Sequence, residues 1–154
     1  MLIIRDYNRN DLESIVKLEE RAFEVGPYTI HMLREILHNP ESYSLVAMEG
    51  DVITGYITIF PIDKLHADIE SLAVDPDFAG RGIGKGLMMR GEEWMKKNQF
   101  RYSVLEVRDK NDIAIALYVK LGYIIKEKLH AYYELEYHGS RDAYRMEKDL
   151  ELEQ

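Results

Sequence analysis

The stretch Ile69–Met89, reading IESLAVDPDFAGRGIGKGLMM, constrains this chain more than any other. Ile69 to Val74 is short, mostly apolar and β-prone, and Asp75-Pro76-Asp77 interrupts it. Gly80-Arg81-Gly82-Ile83-Gly84-Lys85-Gly86 then leads into Leu87, Met88, Met89, Trp94 and Met95, which recur at helical spacing. The order predicts a strand that passes through a glycine loop into a helix. The first amides of a helix lack intrahelical partners, and the dipole makes that end positive. Glycines let a bulky anion approach the backbone, so the loop is a candidate phosphate cradle, with Arg81 and Lys85 adding positive charge.

Two well-known phosphate loops do not fit. A nucleoside-triphosphate loop requires G-x-x-x-x-G-K followed by Ser or Thr. Here Gly86 follows Gly84-Lys85, and Ala79 stands at the first glycine. A dinucleotide fingerprint requires G-x-G-x-x-G. Gly82-x-Gly84 meets Leu87 at the third glycine, and Gly80-x-Gly82 meets Lys85.

Composition narrows the function further. The 154 residues suit one domain, 1–154, with one core, and no repeat or linker interrupts them. The chain has no cysteine, which excludes disulfides, thiolate metal sites and a cysteine nucleophile. No signal-peptide pattern and no apolar run of about 18 residues is present, so a cytoplasmic protein without a membrane partner is expected. The net charge of −8 argues against direct nucleic-acid binding and favours a cationic substrate such as an amine.

The remaining elements follow from local signals. Leu2-Ile3-Ile4 reads as a strand. Asn10 is expected to cap a helix with Glu13 at the capping-box position, followed by the stripe Leu12, Ile15, Val16, Ala22 and Phe23. Thr29 is expected to cap a second helix with Leu33, Ile36 and Leu37 inward. The loop between them, Phe23-Glu24-Val25-Gly26-Pro27-Tyr28, carries an acid and two aromatics. It reads either as an ordinary connection or as a grip for a peptide amine and its first side chain.

Tyr43–Met48 and Val52–Phe60 read as paired strands. His66 and Asp68 precede the strand Ile69–Val74 and read as turn residues. Alternation puts Glu70, Leu72 and Val74 on one face of that strand and Ile69, Ser71 and Ala73 on the other. Tyr102–Val107 is a further strand with Val104, Glu106 and Arg108 on one face. Glu70 and Glu106 are thus two mid-strand acids, each either paired with a cation such as Arg108 or part of a site. Asn111 caps a helix from Asp112 to Leu121 that Gly122 ends. Two last strands, from Tyr123 and from Asp142, flank Tyr132-Tyr133.

These stretches resemble the GNAT N-acetyltransferases. SLAVDPDFAGRGIGKGLM is similar to the family's acetyl-CoA loop, Gln/Arg-x-x-Gly-x-Gly/Ala, with Ala79 in place of the usual Gln or Arg. LEVRDKNDIAIALY, residues 105–118, and the following LGY resemble its second signature. They match best the branch that acetylates N-termini of ribosomal proteins, and the tail resembles the archaeal and eukaryotic N-terminal acetyltransferase catalytic subunits.

The resemblance implies a mixed α/β, mostly antiparallel sheet of about seven strands, splayed at its centre and flanked by about four helices. It implies acetyl-CoA as cosubstrate, no metal, and a peptide or protein N-terminus as the acceptor, with an auxiliary ribosome-associated subunit as a partner. Glu106 is then the first choice of base and Glu70, through a water, the second; Tyr118 is the acid. The backbone of Leu72, Ala73 and Val74, with Asn111, would hold the pantetheine arm, and Gly80, Arg81, Gly82, Ile83, Gly84, Lys85 and Gly86 the diphosphate. Phe23, Glu24, Val25, Pro27, Tyr28, Tyr132 and Tyr133 would line the peptide site. A small-amine or lysine acetyltransferase and a non-catalytic acetyl-CoA-binding module are the alternatives.

Overall fold

A computed structural model describes residues 2–152; Met1, Glu153 and Gln154, at the ends of the expected 1–154 domain, lie outside the described residues. The strands are β1 (Leu2–Asp6), β2 (Tyr43–Glu49), β3 (Val52–Pro61), β4 (His66–Val74), β5 (Tyr102–Arg108), β6 (Ile124–Leu129) and β7 (Ala143–Asp149). The helices are α1 (Leu12–Ala22), α2 (Ile30–Leu37), α3 (Ile83–Lys97) and α4 (Asp112–Lys120). One sheet runs in the order β1-β2-β3-β4-β5-β7-β6. Only the β4–β5 pair in it is parallel. This is the mixed, mostly antiparallel arrangement that the sequence leads one to expect.

Local signals explain most helix starts. Thr29 Oγ1 accepts from the Met32 amide at 3.3 Å, and Asn111 Oδ1 from the Ala114 amide at 3.2 Å. The first cap differs from expectation. Asn8, not Asn10, caps a short 3₁₀ turn over Arg9–Asp11, and Asp11 rather than Glu13 completes the capping box by accepting from the Asn8 amide. Arg5 holds Asp11 with two further bonds of 2.8 and 2.9 Å, an anchor that local spacing does not encode.

The sheet has a core on each face. Leu12, Ile15, Leu18, Leu33 and Leu37 of α1 and α2 pack with Val46, Tyr56 and Ala73. On the other face Ile83, Leu87, Met88, Met95, Tyr118 and Tyr123 pack with Ile57, Ile59, Ile69, Leu105, Val107 and Met146. Each buried aliphatic side chain contributes about 1.5–3 kcal/mol by leaving water.

Two irregularities in β4 make the site. First, β4 begins at His66, so His66 and Asp68 lie on the strand rather than ahead of it. Second, Thr58 pairs with Ser71 while Ile59 pairs with Ile69, which leaves Glu70 as an extra residue in a bulge. The bulge reverses the alternation. Ala67 and Ile69 face α3 and α4 before it, whereas Leu72 and Val74 do so after it. Ile69 therefore shares a face with Leu72 and Val74, not with Ser71 and Ala73 as strict alternation predicts. Glu70 itself is exposed, so the expected burial of a mid-strand acid there does not occur.

The β4–β5 ladder also stops early. It runs from His66↔Tyr102 to Ile69↔Leu105, and beyond that point the two strands no longer pair. The centre of the sheet opens into a gap between Glu70–Val74 and Glu106–Arg108.

Candidate active site

One wall of the gap leads to the start of α3. Gly80 and Gly82 have φ of +78° and +77°, the left-handed region that favours glycine, and open space surrounds both Cα positions. Gly82 is the N-cap and offers no side chain. The first helical bond is from the Gly86 amide to the Gly82 carbonyl at 2.9 Å. Among the described residues the amides of Ile83, Gly84 and Lys85 have no such partner, and they point out of the helix end. This open, donor-rich turn fits a diphosphate.

The glycine cluster is not uniform. The Gly86 amide is already bonded, so it is not one of the cradle donors. Gly84 and Gly86 are small for packing, their Cβ positions lying 3.4 Å from Leu117 and 3.3 Å from Ile4. Ile83 is buried in the core, so only its backbone can meet an anion. Arg81 is paired with Glu49 at 2.8 Å and stacked on Phe78, so its expected free positive charge is largely neutralised. Lys85 stays exposed and, with Lys96, Lys120 and Lys148, lines a groove of about 320 Å³ between α3 and α4.

Tyr118 approaches the gap from the α3–α4 face. It is buried against Tyr123, with ring centroids 6.0 Å apart, and its hydroxyl makes no hydrogen bond among the described residues. Burial, with Tyr133 nearby, pushes its pKa up to about 12. It is therefore protonated at neutral pH and has a proton to donate.

Carboxyl groups approach from the opposite face. Glu106, Arg145 and Glu127 stand directly across from one another on β5, β7 and β6. Arg145 Nε donates to Glu106 at 3.2 Å and Nη1 to Glu127 at 2.8 Å. The cation of Glu106 is thus Arg145, not the expected Arg108. Arg108 instead donates to the Leu135 carbonyl at 2.9 Å and lies 4.0 Å above the Tyr133 ring.

Asp68, on the same side of β4, completes the cluster. It is only 7% exposed, and its Oδ1 is closed off from solvent without a hydrogen-bond partner. Burial first, then the neighbouring Glu106 and Glu70, push its pKa up to about 9. Sequence reading missed Asp68 and Arg145. The alternation His66-Ala67-Asp68-Ile69 could have extended the strand, but the approach of β7 to β5 left no local trace.

The peptide-side residues form two walls. In the first, Phe23 and Tyr28 pack on the α1–α2 core, Glu24 is exposed, and Val25 and Pro27 are half-buried. Tyr28 is held by its amide, which donates to Glu19 Oε1 at 2.9 Å, and its hydroxyl lies 3.4 Å from the Glu70 carbonyl. Burial and the nearby Glu70 raise the Tyr28 pKa. In the second, Tyr132 and Tyr133 meet edge to face in the β6–β7 connection, with centroids 4.9 Å apart. Tyr133 and Arg141 exchange two bonds that fix this segment, and burial pushes the Tyr133 pKa up to about 12. A Cβ at Gly26 would lie 3.7 Å from Arg108 Nη2, so that guanidinium lies between the walls.

Among the described residues no three His, Cys, Asp or Glu side chains are arranged to hold a metal ion. No helix among them is long and apolar enough to cross a membrane. The gap is thus bordered by a protonated tyrosine, unpaired strand backbone, a donor-rich helix end and a carboxyl cluster, which is the equipment for acyl transfer to an amine.

Comparison with known proteins agrees. Residues 12–123 match the family described as Acetyltransferase (GNAT) family. An uncharacterized N-acetyltransferase of Methanocaldococcus jannaschii is 32% identical over 134 residues, 86% of this chain and 85% of that protein. The N-alpha-acetyltransferase RimI of Mycobacterium tuberculosis is 30% identical over 146 residues, covering 92% and 88%. The crystal structure of Ard1 from Thermoplasma volcanium superimposes with a TM-score of 0.87 at 29% identity, covering 99% of both chains.

Proposed function

The chain belongs to the GNAT acetyltransferase family and is an acyltransferase, and we propose that it moves an acetyl group from acetyl-CoA to the α-amino group of a peptide or protein. The observation that carries this reading is the gap between β4 and β5, with Tyr118 on one face and the carboxyl cluster on the other. The relative named as an N-alpha-acetyltransferase supports the choice of acceptor. An α-amine has a reference pKa of about 7.7–8.0, against about 10.4 for lysine, so a carboxylate base is better matched to an N-terminus.

In this reading acetyl-CoA supplies the activated acetyl group. Gly80, Gly82 and the amides of Ile83, Gly84 and Lys85 hold its diphosphate, with Arg81 and Gly86 shaping the turn. The strand backbone of Leu72, Ala73 and Val74, with Asn111, seats the pantetheine arm and polarises the carbonyl. Glu106 accepts the amine proton, and Glu70 orders a water if one relays it. Tyr118 donates to the leaving sulfur. Phe23, Glu24, Val25, Pro27 and Tyr28 form one wall for the first residues of the peptide, and Tyr132 and Tyr133 the other. The chain acts as one catalytic domain.

The test is acetylation of a library of short peptides read by mass spectrometry, with spermidine and a blocked-terminus lysine peptide alongside. Acetyl groups on α-amines are expected. Faster transfer to spermidine or to lysine side chains overturns the acceptor, and acetyl-CoA binding without turnover on any amine overturns the enzyme.

A further inference from the structure

Asp68 is built differently from the other buried acids among the described residues: Asp109 shares a sealed, unpartnered Oδ1, but Lys128 stands 3.7 Å from its other oxygen. Glu19, Glu92 and Asp11 each accept from at least two donors. Asp68 accepts from none among the described residues, and its Oδ1 is sealed from water. The titratable and charged groups facing it are Glu70 from its own strand, Glu106 from β5, Tyr132 and Tyr133 from the β6–β7 connection, and Arg145 from β7 beyond Glu106. Arg145 divides its bonds between Glu106 and Glu127, so no cation is committed to Asp68.

A buried carboxylate with no donor and two carboxylate neighbours keeps its proton. Its O–H can donate to Glu106 or Glu70, which lie within hydrogen-bond reach.

We propose that Asp68 is a positioning residue that stores one proton against Glu106 and Glu70 and exchanges it for the proton of an arriving ammonium group. The inference rests on the reading of this site as one that binds an amine. A substrate α-ammonium supplies the positive charge and the N–H donors that the cluster lacks. On its arrival the O–H bond of Asp68 breaks and that proton leaves to solvent. One N–H bond of the ammonium then breaks, and its proton ends on a carboxyl oxygen of the cluster through Glu106. The electron pair remains on nitrogen, which is now the neutral nucleophile. The cluster ends with the same number of protons as it began, and one proton has been released per amine bound. Substrate binding is linked to proton release as any such exchange must be.

The experiment is calorimetric titration of the protein saturated with CoA, which cannot transfer acetyl, with a short peptide carrying a free α-amine. It is run at about pH 7, where that amine is mostly charged, in two buffers of different ionisation enthalpy. Wild type is expected to release about one proton per peptide, and D68N, an uncharged mimic of the protonated acid, close to none. Equal release by both proteins overturns the proposal.

Because D68N could fold poorly, the free wild-type protein is titrated as well, with ¹³C-labelled aspartate carboxyls followed by NMR. One aspartate resonance titrating in the alkaline range, and moving to the acid range on adding peptide, is expected. Its absence overturns the proposal. A peptide that gives no heat and no acetylation overturns the substrate reading instead, while the resonance of the free protein still decides whether Asp68 holds its proton.

Discussion

Glu19 and Asp68 are two buried acids on the same face of the sheet, and they have been treated in opposite ways. Both are pushed above the usual carboxylate range chiefly by burial. Around Glu19 the chain supplies what burial removes. The Tyr28 amide donates to Oε1, and Oε2 lies 2.6 Å from the Tyr56 hydroxyl and 3.4 Å from Ser71 Oγ. That network ties α1 to β3, β4 and the α1–α2 loop. Around Asp68 the chain supplies carboxyl oxygens and two nearby tyrosines but no hydrogen-bond donor to it among the described residues. A satisfied buried acid is part of the scaffold, whereas an unsatisfied one is waiting for something the scaffold does not contain.

The contrast can be broken by substitution. The largest effect is expected on the active side: E106Q should lower kcat/KM by about 10²–10⁴-fold, with Y118F in the same range, while both keep wild-type melting. If E70Q abolishes transfer and E106Q leaves it intact, the two acids exchange roles. On the scaffold side E19A strands the Tyr28 amide and leaves the Tyr56 and Ser71 hydroxyls only their mutual bond of 2.8 Å. Denaturant unfolding should show a loss of about 2–4 kcal/mol, and the KM for peptide should rise as Tyr28 loosens.

D68N should act in the opposite direction. Asp68 binds its proton more tightly folded than unfolded, its pKa rising from an ordinary 3.8 to about 9. Between those values the folded state carries more protons, so wild-type stability falls as pH rises through that window. Asn removes this dependence. Urea unfolding should find D68N more stable than wild type near pH 8, with no gain near pH 4. If E19A and D68N change stability in the same direction at pH 8, the distinction between the two acids fails.

The smallest effect extends the contrast to the helix end. Gly82 has open space around it, so Gly82→Ala creates no clash and only the left-handed backbone opposes it. Unfolding should report a cost of about 1 kcal/mol, and calorimetry a weaker affinity for acetyl-CoA.

Much of the site was legible in order along the chain. The glycines at 80 and 82 and the Asn111 cap follow from short-range chemistry, whereas Tyr118 within α4 and the Tyr132-Tyr133 pair are singled out only by the family resemblance. The capping of the first helix was misread by two residues because Asn8 and Asn10 offer the same side chain, and Arg5 favours the register that uses Asp11. The faces of β4 were misread because a bulge is a property of two strands, and Glu70 carries no mark of it in its own sequence.

By itself, then, the sequence determined a strand–glycine turn–helix and the placing of Glu70 and Glu106 on strands, but not the part of Asp68. Local dihedral preferences and side-chain period encode such features directly. Only the tertiary structure decided that β7 inserts between β5 and β6, that Arg145 therefore serves Glu106, and that Asp68 has no donor. Strand order and register arise from contacts between residues far apart in the chain. A side chain's own neighbours in sequence do not say which charge will stand across the sheet from it.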